Sequence, residues 1–207
     1  MSGKFISLEG GEGAGKSTHS RRLASWLHEQ EIAVVATREP GGTAGADAIR
    51  ALLLDDDVPL SAMAEAHLFA AARADHVESL IRPALEKGQW IICDRFVDSS
   101  IVYQGIAGGL GASVVRGINE TALNGCWPDL TLLLRTGAQI GAERALARDG
   151  DENDRFSIRD LSFHEAVAGG FELVAAAEPE RFAIIDAEQP VDAVTEAICN
   201  AVRERLL

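Results

Sequence analysis

The stretch GGEGAGKS, residues 10–17, decides the fold, because it matches the pattern G-x-x-x-x-G-K-[ST] in full. It follows the apolar run Phe5–Leu8 and precedes residues 17–30, whose apolar side chains recur at helical spacing. A strand, a glycine loop and a helix in this order allow backbone N–H groups to converge on phosphate oxygens. The pattern therefore predicts a phosphate-binding loop in which Lys16 reaches the outer phosphates and Ser17 binds Mg²⁺.

Apolar runs of strand length alternate with helical patterns along the rest of the chain. We predict five strands, at Phe5–Leu8, Ile32–Thr37, Trp90–Cys93, Pro128–Leu134 and Arg181–Ile185. These runs are continuously apolar, which is typical of parallel strands buried on both faces. Long helices are predicted over Ala62–Leu85 and Val191–Leu206. The alternation predicts a single α/β domain over residues 1–207, with the P-loop NTPase fold: a five-stranded parallel sheet flanked by helices, and a lid segment.

The charge of the chain narrows the class of partner. The 207 residues include 32 acidic and 19 basic side chains, which gives a formal net charge of -13. Nucleic acids and anionic membranes require an extended positive surface, so we expect neither as a partner. A small anionic ligand is compatible with this charge, because a few focused cations can hold it. Apart from Lys4, Lys16 and Lys87 the cations are arginines, which suit forked contacts with phosphate.

The remaining composition favours a cytoplasmic location. No apolar run approaches the roughly 18–20 residues that cross a bilayer. Residues 1–13 lack the long apolar core of a signal peptide. The three cysteines, Cys93, Cys126 and Cys199, are odd in number and widely spaced, so we expect buried, reduced thiols rather than disulfides or a zinc site.

Charged residues follow the second and third predicted strands at the point where each strand ends. Asp94 and Arg95 end the third strand, and Arg38 ends the second in the motif REPGGT. Ligands of parallel α/β sheets bind at these carboxyl ends. We therefore expect Asp94 to help hold Mg²⁺ and the two arginines to grip phosphate groups. Taken alone, Asp94 could instead cap a helix, and REPGGT could be a turn with solvated charges.

A helical segment carries Phe69 and Arg73 four residues apart, so they share a face. The ring could stack on a base while the guanidinium donates to a base carbonyl. In isolation the pair is more typical of a core phenylalanine beside a surface arginine.

Spaced arginines among acidic residues predict a lid over residues 146–158. Arg148 or Arg155 could reach the transferred phosphoryl group from such a lid. The alternatives are a charged surface loop and a calcium loop. Asp154 argues against a calcium loop, because it occupies the position at which such a loop needs glycine.

The chain resembles the bacterial thymidylate kinase family nearly from end to end. The resemblance rests on LEGGEGAGKST, REPGGT, LFAAARADHV, DRFVDSSIVYQG, PDLTLLL and DENDRF. It implies the reaction ATP + dTMP → ADP + dTDP, with Mg²⁺ as cofactor and a homodimeric protein.

The resemblance also implies a role for each matching residue. Arg38 and Arg95 are expected to hold the dTMP phosphate, and Asp94 is expected to help Ser17 with the metal. Phe69 is expected to stack on thymine, Arg73 to donate to its O4 carbonyl, and Glu12 to lie near the acceptor sugar and phosphate. The base and sugar are expected to lie along Ser99, Ser100, Tyr103 and Gln104, with Tyr103 disfavouring a 2′-hydroxyl. The ATP phosphates are expected to contact Gly10, Gly11, Glu12, Gly13, Ala14, Gly15, Lys16, Ser17 and Thr18.

Some members of the family carry an arginine within the phosphate-binding loop, and others supply it from the lid. This loop has none, so the resemblance implies a lid arginine, with Arg148 and Arg155 both open as candidates. The rival functions are a kinase for another nucleoside monophosphate, a GTP-binding switch and a non-catalytic phosphate-loop protein. The switch is disfavoured because the chain has no N-K-x-D motif.

Overall fold

The computed structural model describes residues 3–149 and 159–207. Its strands are β1 (Phe5–Glu9), β2 (Val34–Arg38), β3 (Trp90–Asp94), β4 (Leu130–Arg135) and β5 (Phe182–Asp186). They form one parallel sheet in the order β2-β3-β1-β4-β5. The five predicted strands and their parallel direction are therefore confirmed, with ends that differ by one or two residues.

The position of each strand in the sheet sets its burial. The central strands β1, β3 and β4 are buried along almost their whole length, as their apolar sequences predict. The edge strands β2 and β5 are partly exposed, so the expectation that every strand is buried on both faces is wrong for these two. An edge strand has a neighbour on one side only, which leaves part of it in contact with solvent.

Helices connect the strands. They are α1 (Lys16–Glu29), α2 (Ala44–Leu53), α3 (Ala62–His76), α4 (Arg82–Glu86), α5 (Val97–Ser100), α6 (Ala112–Leu123), α7 (Ala138–Asp149), α8 (Leu161–Ala177) and α9 (Val191–Leu206). The predicted helix Ala62–Leu85 is α3 and α4 joined by a π-helical segment, Val77–Ile81. Pro83 explains the wider turn, because its ring clashes with the carbonyl four residues earlier in an α-helix. A second π-helical segment, Ile101–Ala107, continues α5.

The sheet separates two apolar layers. Successive residues of β1 face opposite sides, with Phe5 packed in one cluster and Ile6 in the other. Leu23 of α1 and Ile198 of α9 belong to the layer of Ile6, whereas Val115 of α6 belongs to the layer of Phe5. Helices therefore flank the parallel sheet on both faces, as predicted.

Two further observations concern the helices and the cysteines. In the part of the chain that the structure describes, no helix is both long and apolar enough to cross a lipid bilayer. Cys93, Cys126 and Cys199 are buried free thiols, as predicted.

Candidate active site

The glycine loop forms a cradle at the carboxyl end of β1. Gly13 and Gly15 have φ of 68° and 89°, which side chains rarely adopt, so the loop can turn its N–H groups inward. Helix α1 begins at Lys16 with no side-chain cap, which leaves its first N–H groups for a ligand. The Lys16 ammonium donates to the carbonyls of Gly10 at 3.0 Å and Gly11 at 2.6 Å. Burial, assisted by the positive charge of Arg95, lowers the pKa of Lys16 to about 8.

The two predicted metal residues lie in contact with each other. The Ser17 hydroxyl, in the first turn of α1, donates to Asp94 Oδ2 at the end of β3 at 2.5 Å. A hydroxyl and a carboxylate are hard oxygen donors, and Mg²⁺ is usually held by one or two such groups with phosphates and water. The residues at this position therefore fit Mg²⁺.

Arg95 lies between the glycine loop and the rest of the site. Its backbone has φ of 67°, which is uncommon for a residue with a side chain. The guanidinium donates to the Gly10 carbonyl at 3.0 Å and to Ser99 Oγ at 3.2 Å, and it pairs with Glu12. Burial opposes its charge, but the Glu12 carboxylate and other neighbours raise the pKa of Arg95 above its ordinary value. Arg95 is thus a permanently charged group on the wall of the site.

Tyr103 extends this cluster. Its hydroxyl donates to Glu12 Oε1 at 3.1 Å, and its ring centroid lies 5.0 Å from the Arg95 guanidinium carbon. Burial raises the pKa of Tyr103, so the phenol stays protonated and remains a hydrogen-bond donor. Glu12, Arg95 and Tyr103 therefore form a connected polar group.

The structure brings most of the predicted nucleotide-binding residues to one cleft. The cleft lies at the carboxyl ends of β1, β2 and β3, where the fold predicts it. The predicted residues that line it are Glu12, Gly13, Gly15, Lys16, Ser17, Arg38, Phe69, Arg73, Asp94, Arg95, Ser99, Ser100, Tyr103 and Gln104. Gly10, Gly11, Ala14 and Thr18 complete the adjoining loop and the start of α1.

The predicted lid falls mostly beyond what the structure describes. Residues 146–149 lie in the last turn of α7, and residues 150–158 are outside the described ranges. Arg155 and the side chain of Arg148 are therefore both outside the described part of the chain. The lid arginine stays a prediction.

Arg73 is almost completely buried at the wall of the cleft, with 2% of its surface exposed. It contacts Glu39 Oε2 through Nε at 2.8 Å and through Nη2 at 2.7 Å, and it also donates to Asn119. His76 continues the network, with Nδ1 3.0 Å from Glu39 Oε1. Phe69, one helical turn before Arg73, is half-buried. The helix face is thus shared as predicted, but Arg73 is a buried residue of a polar network and not a surface arginine.

Three residues of this region were missed at the sequence level. Glu39, whose charge a simple turn would leave in solvent, is 6% exposed and holds Arg73. Arg50 of α2 lines the cleft and donates to the Pro40 carbonyl at 2.9 Å. Glu9 is fully buried beneath Arg95. The only sequence signal for Glu39 is its place in REPGGT, and no local pattern separates Arg50 or Glu9 from ordinary charged residues.

The comparisons with known proteins agree on one family. A family model described as "Thymidylate kinase" matches residues 8–198. The thymidylate kinase of Rhizorhabdus wittichii is 48% identical over 207 residues, which is 100% of both chains. That of Bacillus pumilus is 42% identical, covering 100% of this chain and 98% of the relative. A crystal structure of thymidylate kinase from Ehrlichia chaffeensis is similar at TM-score 0.80 and 30% identity, covering 98% of this chain and 99% of that one.

Proposed function

Because the chain belongs to the thymidylate kinase family and is a kinase that converts dTMP to dTDP, we propose that it uses ATP with Mg²⁺ as the phosphoryl donor. The observation that carries the proposal is the meeting of Lys16, Ser17, Asp94 and Arg95 in one cleft. Two anionic nucleotides repel each other, so a phosphoryl transferase needs cations that hold both and neutralise the charge between them.

On the donor side, the loop amides and Lys16 bind the ATP phosphates. The Lys16 ammonium, which donates to two loop carbonyls in the structure, exchanges these acceptors for phosphate oxygens. Ser17 and Asp94 hold Mg²⁺, which when bound neutralises charge on the phosphates.

On the acceptor side, Arg38 and Arg95 hold the dTMP phosphate and direct one of its oxygens at the transferred group. That oxygen is already ionised, so Glu12 is not required as a general base. Its contacts with Arg95 and Tyr103 support a positioning role near the sugar and phosphate.

Residues on the far wall of the cleft recognise the base. Phe69 stacks on thymine and Arg73 donates to O4, while Ser99, Ser100 and Gln104 lie along the base. Burial and the ion pair with Glu39 support this role, since they hold Arg73 in one orientation. An arginine donor disfavours cytosine, whose 4-amino group is itself a donor. A lid arginine, Arg148 or Arg155, completes the charge around the transferred group.

A coupled assay of ADP release across dTMP, dUMP, dCMP and purine monophosphates tests the proposal. We expect turnover with dTMP to exceed turnover with dCMP and the purine monophosphates, and to stop when EDTA removes Mg²⁺. Lys16→Ala serves as the inactive control. A clear preference for another base, or turnover that persists in EDTA, would contradict the proposal. The homodimer and the cytoplasmic location stay predictions.

A further inference from the structure

A buried carboxyl group that the proposed mechanism does not use lies beneath the cleft. Glu9, the last residue of β1, is fully buried. Its Oε1 accepts hydrogen bonds from the backbone N–H of Phe96 at 2.8 Å and of Ser99 at 3.3 Å. Its Oε2 accepts from the Ser99 hydroxyl at 2.6 Å. One side chain of β1 thus contacts the turn after β3 through three donors.

The turn that Glu9 contacts is also held by Arg73 at the Phe96 carbonyl and by the hydrogen bond from the Arg95 N–H to the Leu8 carbonyl, but neither contact serves the first N–H groups of α5. The turn begins with Arg95 in the left-handed region and continues into α5, whose N-cap residue Phe96 provides no side-chain cap. The first N–H groups of a helix need acceptors, and a buried turn cannot obtain them from water. The Glu9 carboxyl supplies that acceptor from another strand.

Ser99 extends the contact from Glu9 to the site. The hydroxyl that donates to Glu9 also accepts a hydrogen bond from Arg95 Nη1 at 3.2 Å. The Arg95 guanidinium is therefore held by the Gly10 carbonyl, by Glu12 and, through Ser99, by Glu9. Two of these three contacts are with residues of the glycine loop, and the third is with the last residue of β1 through Ser99.

The hydrogen bonds that Glu9 accepts do not require the carboxyl group to be ionised. Asp98 is also fully buried, but Arg181 pairs with it through two hydrogen bonds of 2.6 and 2.8 Å. Burial, with the repulsion of Asp98, raises the pKa of Glu9 to about 8. A carboxyl oxygen accepts from a backbone N–H in either protonation state. The length of the Glu9 side chain therefore matters more for these hydrogen bonds than its charge.

We propose that Glu9 is a positioning residue for phosphoryl transfer, which fixes the turn from Arg95 to Ser99 and thereby sets the direction of the Arg95 guanidinium. The inference rests on the proposed function, in which Arg95 grips the dTMP phosphate. Misplacement of such a group by about 1 Å can cost around 10²-fold in rate.

Two substitutions distinguish the effect of the length of the Glu9 side chain from the effect of its charge. Glu9→Gln keeps the length of the side chain and an oxygen for the Phe96 N–H, but it removes the carboxylate. Glu9→Asp keeps the carboxylate but withdraws it by one methylene group. Ser7→Ala is the matched control: Ser7 is a buried polar residue of the same strand, and its hydroxyl lies 2.9 Å from Thr131 Oγ1. Thr131 reaches the turn through a 3.5 Å contact with Asp98, and not through Phe96 or Ser99, which donate to Glu9.

The readouts are steady-state kinetics with dTMP and ATP, and amide hydrogen exchange at Phe96 and Ser99. We expect Glu9→Asp to lower kcat by about 10²-fold and raise KM for dTMP, with KM for ATP within about twofold of wild type. Glu9→Gln and Ser7→Ala are expected to keep kcat within about fivefold. The two amides are expected to exchange faster in Glu9→Asp alone.

The outcomes are distinguishable. Wild-type exchange at both amides in Glu9→Asp, or a greater loss of kcat in Glu9→Gln than in Glu9→Asp, overturns the proposal. If Glu9→Asp does not fold, the test uses Glu9→Gln instead. A folded Glu9→Gln whose kcat is more than about 30-fold below that of wild type overturns the proposal. A wild-type protein that does not phosphorylate dTMP, with exchange as expected, overturns the proposed function but supports the anchoring of the turn by Glu9.

Discussion

Removal of the Glu39 carboxylate should destabilise the protein far more than removal of a carboxylate that pairs with an arginine at the surface. Glu39 and Arg73 are 2.7 Å apart, and their side chains are 4% and 2% exposed. Arg22 and Asp192 are slightly closer, at 2.6 Å, but their side chains are 43% and 91% exposed. The two pairs therefore differ in burial and hardly in distance.

Burial decides the expected magnitude. In Glu39→Ala, Arg73 keeps its hydrogen bonds to Asn119, the Phe96 carbonyl and Ser100, but none of these partners carries a negative charge. An uncompensated buried charge costs about 3–5 kcal/mol of unfolding free energy. In Asp192→Ala, water solvates the freed arginine, so the expected loss is about 1 kcal/mol or less.

Urea unfolding followed by circular dichroism measures both losses. We expect the double variant Glu39→Ala with Arg73→Met to recover part of the stability, because replacing both charges by apolar groups removes the unpaired guanidinium. Equal losses in Glu39→Ala and Asp192→Ala would refute the reasoning. So would a double variant that is as unstable as the sum of its single changes.

Two further predictions concern the lid and the pH dependence of stability. Arg148→Ala or Arg155→Ala should lower kcat by about 10³-fold with dTMP, since an arginine at the transferred group is typically worth this much; if each stays within about threefold of wild type, no lid arginine acts there. Glu9 keeps a proton in the folded protein up to about pH 8, whereas the unfolded chain releases it near pH 4.5. Its contribution to stability is therefore complete below pH 4.5 and is lost as the pH rises toward 8, by up to about 1.4 kcal/mol per pH unit. Asp98 and Arg95 are the charged groups that act on the Glu9 carboxyl. Thermal unfolding between pH 5.5 and 7.5 should show that the melting temperature falls more steeply with pH in wild type than in Glu9→Gln. Parallel curves would contradict this.

The strands and the glycine loop could be predicted because their signals are local. Apolar runs of strand length and the spacing of GGEGAGKS each lie within a few consecutive residues. Parallel strands then bring Lys16, Arg38 and Asp94 to one edge of the sheet, since the carboxyl ends of such strands meet there. The π-helical segment Val77–Ile81 was not predicted, because helical spacing does not reveal a widened turn.

The sequence by itself therefore determined the fold, the phosphate-binding loop and the residues at the ends of the strands. The tertiary structure alone decided which charges are buried and what holds them. Glu39 lies 34 residues from Arg73, and Glu9 lies 87 residues from Phe96. No local pattern reports such contacts, because they form only when the register of the sheet and the packing of its helices bring distant side chains together. A carboxylate whose sequence context suggests exposure to solvent is buried by the fold, and it then orients an arginine.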